Sequence, residues 1–380
     1  MRILITGGAG FIGSHLALRL VREGHAVTVL DILSQQIHGA DPDATSPLYA
    51  SIRGKVSFVR GSVCDEGVVG SCLENQDALV HLAAETGTGQ SMYEAEKYCA
   101  TNSLGTALLV DVLCNTPKRR VKRVLLASSR SVYGEGCYSC AHCGIDRLSP
   151  DSRPAAQLKL AQWDPLCPRC SRTLTAVATS EGDAIKPASI YAATKYSQED
   201  LIRVGCGSLG VDFGILRLQN VYGEGQSLKN PYTGILSIFS TRIRQGLDLP
   251  IFEDGDESRD FVHVDDVARA FVLCLDSPEP LGDVFNLGTG RATSVRELAR
   301  ELTRAFEAEE RIVVTGQFRL GDIRHNYADI RRIRKRIGFE PVVTLSEGID
   351  RFAQWVLTQP LPEDRLEQAN RELKQRGLMA

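Results

Sequence analysis

The stretch Arg2-Ile3-Leu4-Ile5-Thr6-Gly7-Gly8-Ala9-Gly10-Phe11-Ile12-Gly13 decides how this chain folds. Its first residues are a short apolar run of the kind that forms a buried strand, and the glycines then form a tight turn. Leu16, Leu20 and Val21 recur at helical spacing until Gly24 supplies a stop. Ala26-Val27-Thr28-Val29-Leu30 reads as a second buried strand, ending on Asp31 beside Ile32. In a strand–turn–helix–strand unit of this kind, a pyrophosphate can rest on the amides of Gly7, Gly10, Phe11, Ile12 and Gly13 at the helix N-terminus. Asp31, 24 positions after Gly7, stands where a carboxylate accepts hydrogen bonds from an adenosine ribose. It would repel the extra phosphate of NADP, so the expected cofactor is NAD.

Further strand-like runs follow at Val56–Val59, Ala78–Leu82 and Val124–Ser128, with helical segments between them, notably Asn102 to Cys114. Strands alternating with helices imply an α/β fold, a doubly wound parallel sheet of Rossmann type, whose ligands bind beyond the carboxyl ends of the strands. Leu82-Ala83-Ala84 and Ser128-Ser129 follow strands at that edge and should face the cofactor. Beyond residue 195 the pattern predicts helices at 197–204, 235–244 and 346–356, strands at 211–218, 260–264 and 283–287, and a tail helix after Pro362. Asp265 is a candidate N-cap, and Ser294-x-x-Glu297 a capping box. The expected organisation is a nucleotide-binding domain from 1–134 and 175–217, a cysteine-bearing insert at 135–174, and a smaller substrate-binding lobe over 218–380, with interleaved boundaries.

The chain has 380 residues, 43% of them hydrophobic and 24% charged, with a net charge of -3, so composition gives no electrostatic argument for nucleic acid. The basic run Lys118 to Arg123 reads as a solvated approach to the strand it precedes. No apolar run approaches the roughly 18 residues that a membrane span needs. The N-terminus enters a strand at once instead of forming a signal peptide, so a reducing, cytoplasmic setting is expected. Eleven cysteines in that setting argue against a disulfide framework. Cys64, Cys72, Cys99, Cys114, Cys137, Cys206 and Cys274 are scattered, mostly in apolar surroundings, whereas Cys140-x-x-Cys143 and Cys167-x-x-Cys170 are two metal-knuckle spacings. Four such thiolates suit a closed tetrahedral site, so a structural zinc is expected at Cys140, Cys143, Cys167 and Cys170.

Tyr191 and Lys195 are four apart and hence on one helical face. A phenol titrates near pH 10, and a neighbouring ammonium lowers that value. With a strand-terminal Ser to hold the substrate oxygen, these residues can take a proton from an alcohol whose hydride leaves for NAD.

These motifs resemble the extended short-chain dehydrogenase/reductase family of nucleotide-sugar epimerases and dehydratases. The resemblance rests on T-G-G-A-G-F-I-G at 6–13, H-L-A-A at 81–84, the Asn102 region, S-S-R-S-V-Y-G at 128–134 and Y-A-A-T-K at 191–195. It continues through N-V-Y-G at 220–223, S-R-D-F-V-H-V at 258–264, F-N-L-G-T-G at 285–290 and R-L-G-D at 319–322. It implies Tyr191 as acid/base, Lys195 as its activator, Ser129 as the hydroxyl partner, and Asn102 beside the cofactor. It also implies Ser129, Arg130, Asn220, Leu236, Phe252, Arg259, Arg319 and Asp322 around a nucleotide-diphosphate sugar. A homodimer through the Tyr191 and Asn102 helices is likewise expected from the family.

Two departures from the family pattern matter. Where its 4,6-dehydratases carry an Asp-Glu pair, this chain has Arg130 and Ser131, so the groups that eliminate water are missing and 4-epimerisation through a transient 4-keto sugar is the economical reading. Where relatives place an acidic residue near adenine, it has Gly61-Ser62-Val63, of which Ser62 can still accept a hydrogen bond. The insert, with Gln90–Tyr93, Asn230–Gly234 and Phe252–Gly255, is similar to a subgroup described as dTDP-L-rhamnose 4-epimerases or, more loosely, UDP-glucose 4-epimerases. The competing readings are a 4-keto nucleotide-sugar reductase, which would consume NADH, and a non-catalytic NAD-binding sensor, against which the Ser129/Tyr191/Lys195 set speaks.

Overall fold

The computed structural model describes residues 1–380 except 117, 229–233, 362–363, 365, 376 and 378–380. Asn230 to Thr233 of the subgroup motif therefore lie outside the described residues. Seven strands form one parallel sheet: β1 (Arg2–Thr6), β2 (Ala26–Asp31), β3 (Ser57–Arg60), β4 (Ala78–His81), β5 (Arg123–Ser129), β6 (Asp212–Leu218) and β7 (Asp283–Leu287), in the order β7-β6-β5-β4-β1-β2-β3. The order reverses at β1 and β4, so the crevice at that switch point opens above the Gly-rich turn. One face of the sheet packs through Ile3, Ile5, Val29, Leu125 and Leu216 against the helix α1 (Phe11–Arg22), and against Val267, Phe271, Ile333 and Phe339. The other face buries Leu4, Leu30, Leu79 and Leu126 against α2 (Gly105–Asn115) and α3 (Ile190–Leu209). Apolar side chains alternate between the two faces along each strand, as a doubly covered parallel sheet requires.

The turn after β1 is as tight as its glycines suggest. Gly7 has φ +70°, and a Cβ on Gly13 would lie 2.4 Å from the Gly7 carbonyl oxygen and 2.6 Å from Gly8 Cα. Only hydrogen fits there, so α1 starts hard against the strand. Gly10 caps that helix without a side chain, and no acidic residue occupies its first turn.

The second lobe has its own core, in which Leu236, Phe239, Ile251, Phe261, Leu298 and Phe352 meet. The strand at 283–287, although late in the chain, extends the main sheet by pairing with β6. The insert is a three-stranded antiparallel sheet, Cys137–Cys140 at its centre between Ile145–Leu148 and Thr175–Val177. Its own buried cluster is only Tyr138, Cys140, Cys167 and Leu174.

Several local expectations need correction. Helix Val264–Asp276 is capped by His263, whose ring accepts from the Asp265 amide, because Val264 and Asp265 are already helical. Asp265 instead uses the first turn to meet Arg351 at 2.6 Å. The segment before α2 is a π-helical turn, Cys99–Leu104. The strand expected at 260–264 is present as Phe261–His263, pairing with Asn220–Tyr222. Arg123 is no solvated approach residue: it pairs with Asp212 at 2.6 Å and donates to the carbonyls of Cys274, Leu275 and Ser277 at the end of the 264–276 helix. The capping box is half made, since Ser294 accepts from the Glu297 amide while the Glu297 carboxylate pairs with Arg291. The tail helix is present at Leu366–Gln375.

Because the Gly13 contact is with backbone, Gly13→Ala has no flexible neighbour to displace. The substitution is expected to lower stability by about 1–3 kcal/mol, read as a shifted midpoint at unchanged slope in urea unfolding.

Candidate active site

Ser129 ends β5 and caps the single turn Arg130–Tyr133, its Oγ accepting from the Ser131 amide at 3.2 Å. Tyr191 stands in the first turn of α3, which Ser189 caps through the Ala192 amide at 3.1 Å. The Ser129 hydroxyl lies near enough to the Tyr191 phenol to favour its ionised form, so this expected pair comes together. Burial pushes the phenol above its usual range, while the nearby Ser129 hydroxyl and Arg130 guanidinium pull the other way.

Lys195 occupies the same face of α3, but its Nζ donates to the Ala127 carbonyl at 3.0 Å and to Gln198 Oε1 at 2.9 Å. The expected lowering of the Tyr191 pKa by Lys195 is therefore not met here. Burial brings the ammonium itself down to about 7, with Glu199 opposing, so it is a weaker cation than an exposed lysine. Gln198 Nε2 in turn reaches Thr106 Oγ1 at 2.7 Å, and His81 bridges Thr6 and Thr106 at 2.7 and 2.9 Å. Burial, with Lys195 nearby, lowers His81 to about 3, so the imidazole is neutral and serves as a strut. Gln198 and Glu199 were not singled out from the sequence. The available signal was their position, seven and eight residues after Tyr191 and hence on its helical face.

Glu199 is the second anchor of α3. It accepts from Arg217 of β6 at 2.7 and 2.9 Å and from the Ser128 hydroxyl. Arg217 continues to Tyr133 Oη at 2.8 Å, with its guanidinium 4.8 Å from that ring's centre. Tyr133 donates to Asn286 Oδ1 of β7 at 2.7 Å.

On the expected cofactor side, Gly7, Gly10, Phe11, Ile12 and Gly13 form the turn already described. Asp31 lies beside it, accepting from the Ala9 amide at 3.0 Å and the Leu33 amide at 2.9 Å. The carboxylate thus braces the turn, and Ile32 next to it is exposed. Ser62 accepts from the Cys64 amide at 3.1 Å, and Val63 is buried where α2 begins, against Gly105. Leu82 and Ala83 follow β4, their amides bonded to Thr6 at 3.0 and 3.3 Å, and Ala84 is half-buried. Asn102 accepts from the Glu85 amide at 2.8 Å and donates to the Glu85 carbonyl and to Thr194. It therefore fixes the segment after β4 against α3.

The expected substrate residues converge on the far side of Tyr191. Arg130 donates to Asn220 Oδ1 at 2.8 Å, and burial together with Arg259 brings its pKa down to about 9. Arg259 reaches Asp322 at 3.1 Å and the Ile323 carbonyl at 2.7 Å. Arg319 lies over the Phe252 ring at 4.7 Å, bonds Asn370 of the tail helix at 3.0 Å, and has a buried Nε without a partner among the described residues. Burial lowers its pKa, and Arg130, Arg259 and Arg319 share the nearby carboxylate of Asp322, whereas Arg153 is paired with Glu135 and Glu253. This excess of buried guanidinium groups fits an anionic ligand. Leu236 is buried in the second lobe's core.

In the insert, Cys140, Cys143, Cys167 and Cys170 bring their sulfurs within 4.8 Å of one another. Two of the separations are 3.7 Å (Cys140–Cys170) and 3.9 Å (Cys143–Cys167).

The fold is a doubly wound parallel sheet whose switch point carries the glycine turn, with Ser129, Tyr191 and Lys195 beside it. The family model described as "NAD dependent epimerase/dehydratase family" matches residues 3–153 and 169–288. The chain belongs to that family, whose members are enzymes. It is 39% identical over 363 residues to a dTDP-L-rhamnose 4-epimerase of Burkholderia thailandensis, covering 93% of this chain and 94% of the relative. Among solved structures it is similar to the UDP-glucose 4-epimerase of Thermotoga maritima with UDP-glucose, at TM-score 0.75 and 28% identity, over 94% of this chain and 99% of that one. It is also similar to MoeE5 in complex with UDP-glucuronic acid and NAD, at TM-score 0.72 and 28% identity, over the same shares of the two chains. No helix among the described residues is long and apolar enough to cross a membrane.

The Lys195 environment gives a pH dependence whose sign can be worked out. In the unfolded chain the amine holds its proton to about pH 10, whereas in the fold it releases it near 7. Between those values the unfolded state binds more protons, so the Lys195 contribution to stability rises with pH. Relative to wild type, Lys195→Met should be favoured most at pH 6, with the gap narrowing toward pH 10 in urea unfolding of cofactor-free protein. A gap constant with pH would show that Lys195 keeps its charge.

Proposed function

We propose that this protein is an NAD-dependent nucleotide-sugar 4-epimerase acting on a dTDP-L-rhamnose or UDP-hexose type of substrate. The observation that carries the reading is the nearness of Tyr191 to Ser129 and Arg130, between the glycine turn on one side and the Arg130/Arg259/Arg319 group on the other. NAD, when bound, supplies a reversible hydride acceptor at the sugar's carbon 4. The chain's own residues do the rest. Ser129 holds the 4-oxygen, and Tyr191 takes its proton and later returns it. Lys195, fixed by Ala127 and Gln198, keeps α3 in register and places a titratable ammonium below the phenol. The guanidinium groups of Arg259 and Arg319 hold the diphosphate, Phe252 lines the nucleotide side with Leu236 in the core behind, and Asn220 and Asp322 orient Arg130 and Arg259. Arg130 and Ser131, in place of carboxylates, leave no acid and base for removing water. The similarity to a dTDP-L-rhamnose 4-epimerase supports the choice of carbon 4.

The insert is read as a structural zinc knot. A tetrahedral zinc with bonds of about 2.3 Å needs sulfurs about 3.8 Å apart, and the two separations of 3.7 and 3.9 Å fit. Zinc would supply folding energy that the small cluster around Tyr138 and Leu174 lacks. The homodimer is read through α2 and α3, where Leu104, at the end of the turn before α2, and Val204 of α3 are 60% and 61% exposed.

Incubation with dTDP-L-rhamnose, UDP-glucose and UDP-glucuronate should epimerise at least one of them without net change in NAD. Tyr191→Phe should abolish turnover while NAD remains bound. Absence of turnover across a broad nucleotide-sugar panel, or steady consumption of NADH, would overturn the reading. Independently, elemental analysis of protein purified without added metal should find about one zinc per chain, and a value near zero would remove the zinc.

A further inference from the structure

The insert is joined to the rest of the molecule by charged and aromatic contacts that converge on one loop. Arg153, fully buried, donates to Glu135 at 3.1 Å, to Glu253 at 2.9 Å, to the Trp163 carbonyl at 2.7 Å and to the Asp322 carbonyl at 2.9 Å. Asp164 accepts from Arg324 Nε at 2.8 Å. The Trp163 ring packs on Phe318 with 6.2 Å between centres. From the other side, Arg259 grips the same loop at Asp322, Ile323 and Arg324. The loop 318–324, which carries Arg319 and Asp322, is thus clamped between Arg259 and the insert.

The clamp's outer jaw comes from residues with their own anchorage. Trp163 and Asp164 lie in the segment 154–168 that the family model leaves unmatched. Directly after them, the Leu174 amide bonds the Pro165 carbonyl at 2.9 Å and the Cys167 amide bonds the Arg172 carbonyl at 2.8 Å. The cysteine cluster therefore holds the hairpin from which Trp163 and Asp164 project. A side chain so placed has no reach to Tyr191's chemistry except through the loop.

We propose that Arg153, Trp163 and Asp164 are positioning residues that set the loop 318–324, so that the insert determines how tightly the nucleotide diphosphate of the substrate is held. The proposal rests on the reading of Arg319 and Arg259 as diphosphate contacts. Its consequence is a split in the kinetic constants. Loosening the outer jaw lets Arg319 and Asp322 shift, which weakens binding, while Ser129, Tyr191 and Lys195 are held by β5 and α3 and keep their geometry.

The test uses the full chain with NAD bound. Trp163→Ala is expected to raise KM for the epimerised sugar, and Kd for dTDP and UDP by titration calorimetry, by about tenfold, within the range of coupling between linked sites. kcat should stay within about twofold. Asp164→Asn, at a half-exposed position, should raise the same constants by about threefold, and Trp163→Phe should restore near wild-type binding. NAD content should not change in any variant, and Lys159→Ala, elsewhere on the insert surface, should leave all constants alone. Unchanged KM and Kd in both Trp163→Ala and Asp164→Asn, or an equal fall in kcat and kcat/KM without a KM change, would overturn the proposal alone. Failure of the wild-type chain to bind either nucleotide or turn over any sugar would overturn the functional reading and this inference with it.

Discussion

Arg217 projects from β6 into the protein interior, and its guanidinium meets both carboxylate oxygens of Glu199 on α3. The rest of the candidate site is hung on that contact. Breaking one side of such a buried pair typically costs 3–5 kcal/mol, about as much as a large core truncation, although the intact pair adds little net stability over an apolar one. What it provides is register. Glu199 also accepts from Ser128, the residue before Ser129, and Arg217 also holds Tyr133, at the end of the turn that Ser129 caps. The helix bearing Tyr191, the strand bearing Ser129 and the turn bearing Arg130 are thereby fixed to one another, and Asn286 brings in the last strand of the sheet.

A second polar chain runs beside the first, from Thr6 through His81 and Thr106 to Gln198 and Lys195. Its histidine is neutral because burial disfavours the charged ring, and a neutral imidazole can bridge two hydroxyls. Buried polar groups of this kind are costly unless every member has a partner. The price in stability gives rigidity beneath the reacting groups. The insert uses a third, separate set of charges, Arg153 and Arg324 among Glu135, Glu253, Asp254 and Asp164. The catalytic and insert networks share no residue, which is why one can be argued to tune binding without disturbing the other.

Much of the fold was legible. The spacing of Gly7, Gly10 and Gly13 is a steric requirement of the turn, and the strand runs through 128, 218 and 287 are buried on both faces, so apolar content alone reports them. Tyr191 was legible with Ser129 because each ends up at a junction of strand, turn or helix. Gln198, Glu199 and Arg217 were not, since a polar residue in a helix or strand is normally solvated and nothing local marks it as buried. Arg123 failed for the same reason: its partners are Asp212 and carbonyls near residue 275, distant in sequence. The Asp265 cap failed because a one-residue shift moves the helix start to Val264, a difference set by packing and not by propensity.

By itself the sequence determined the strands, the glycine turn and the two Cys-x-x-Cys spacings, because each depends on contacts within a few residues or on periodicity. Only the tertiary structure decided where Lys195 directs its amine, which arginines surround Asp322, and that the insert clamps the loop at 318–324. Those outcomes depend on groups brought together from segments distant in sequence, 68 residues apart for Lys195 and Ala127 and 169 for Arg153 and the Asp322 carbonyl. Their partners are chosen by burial, and burial is a property of the whole fold.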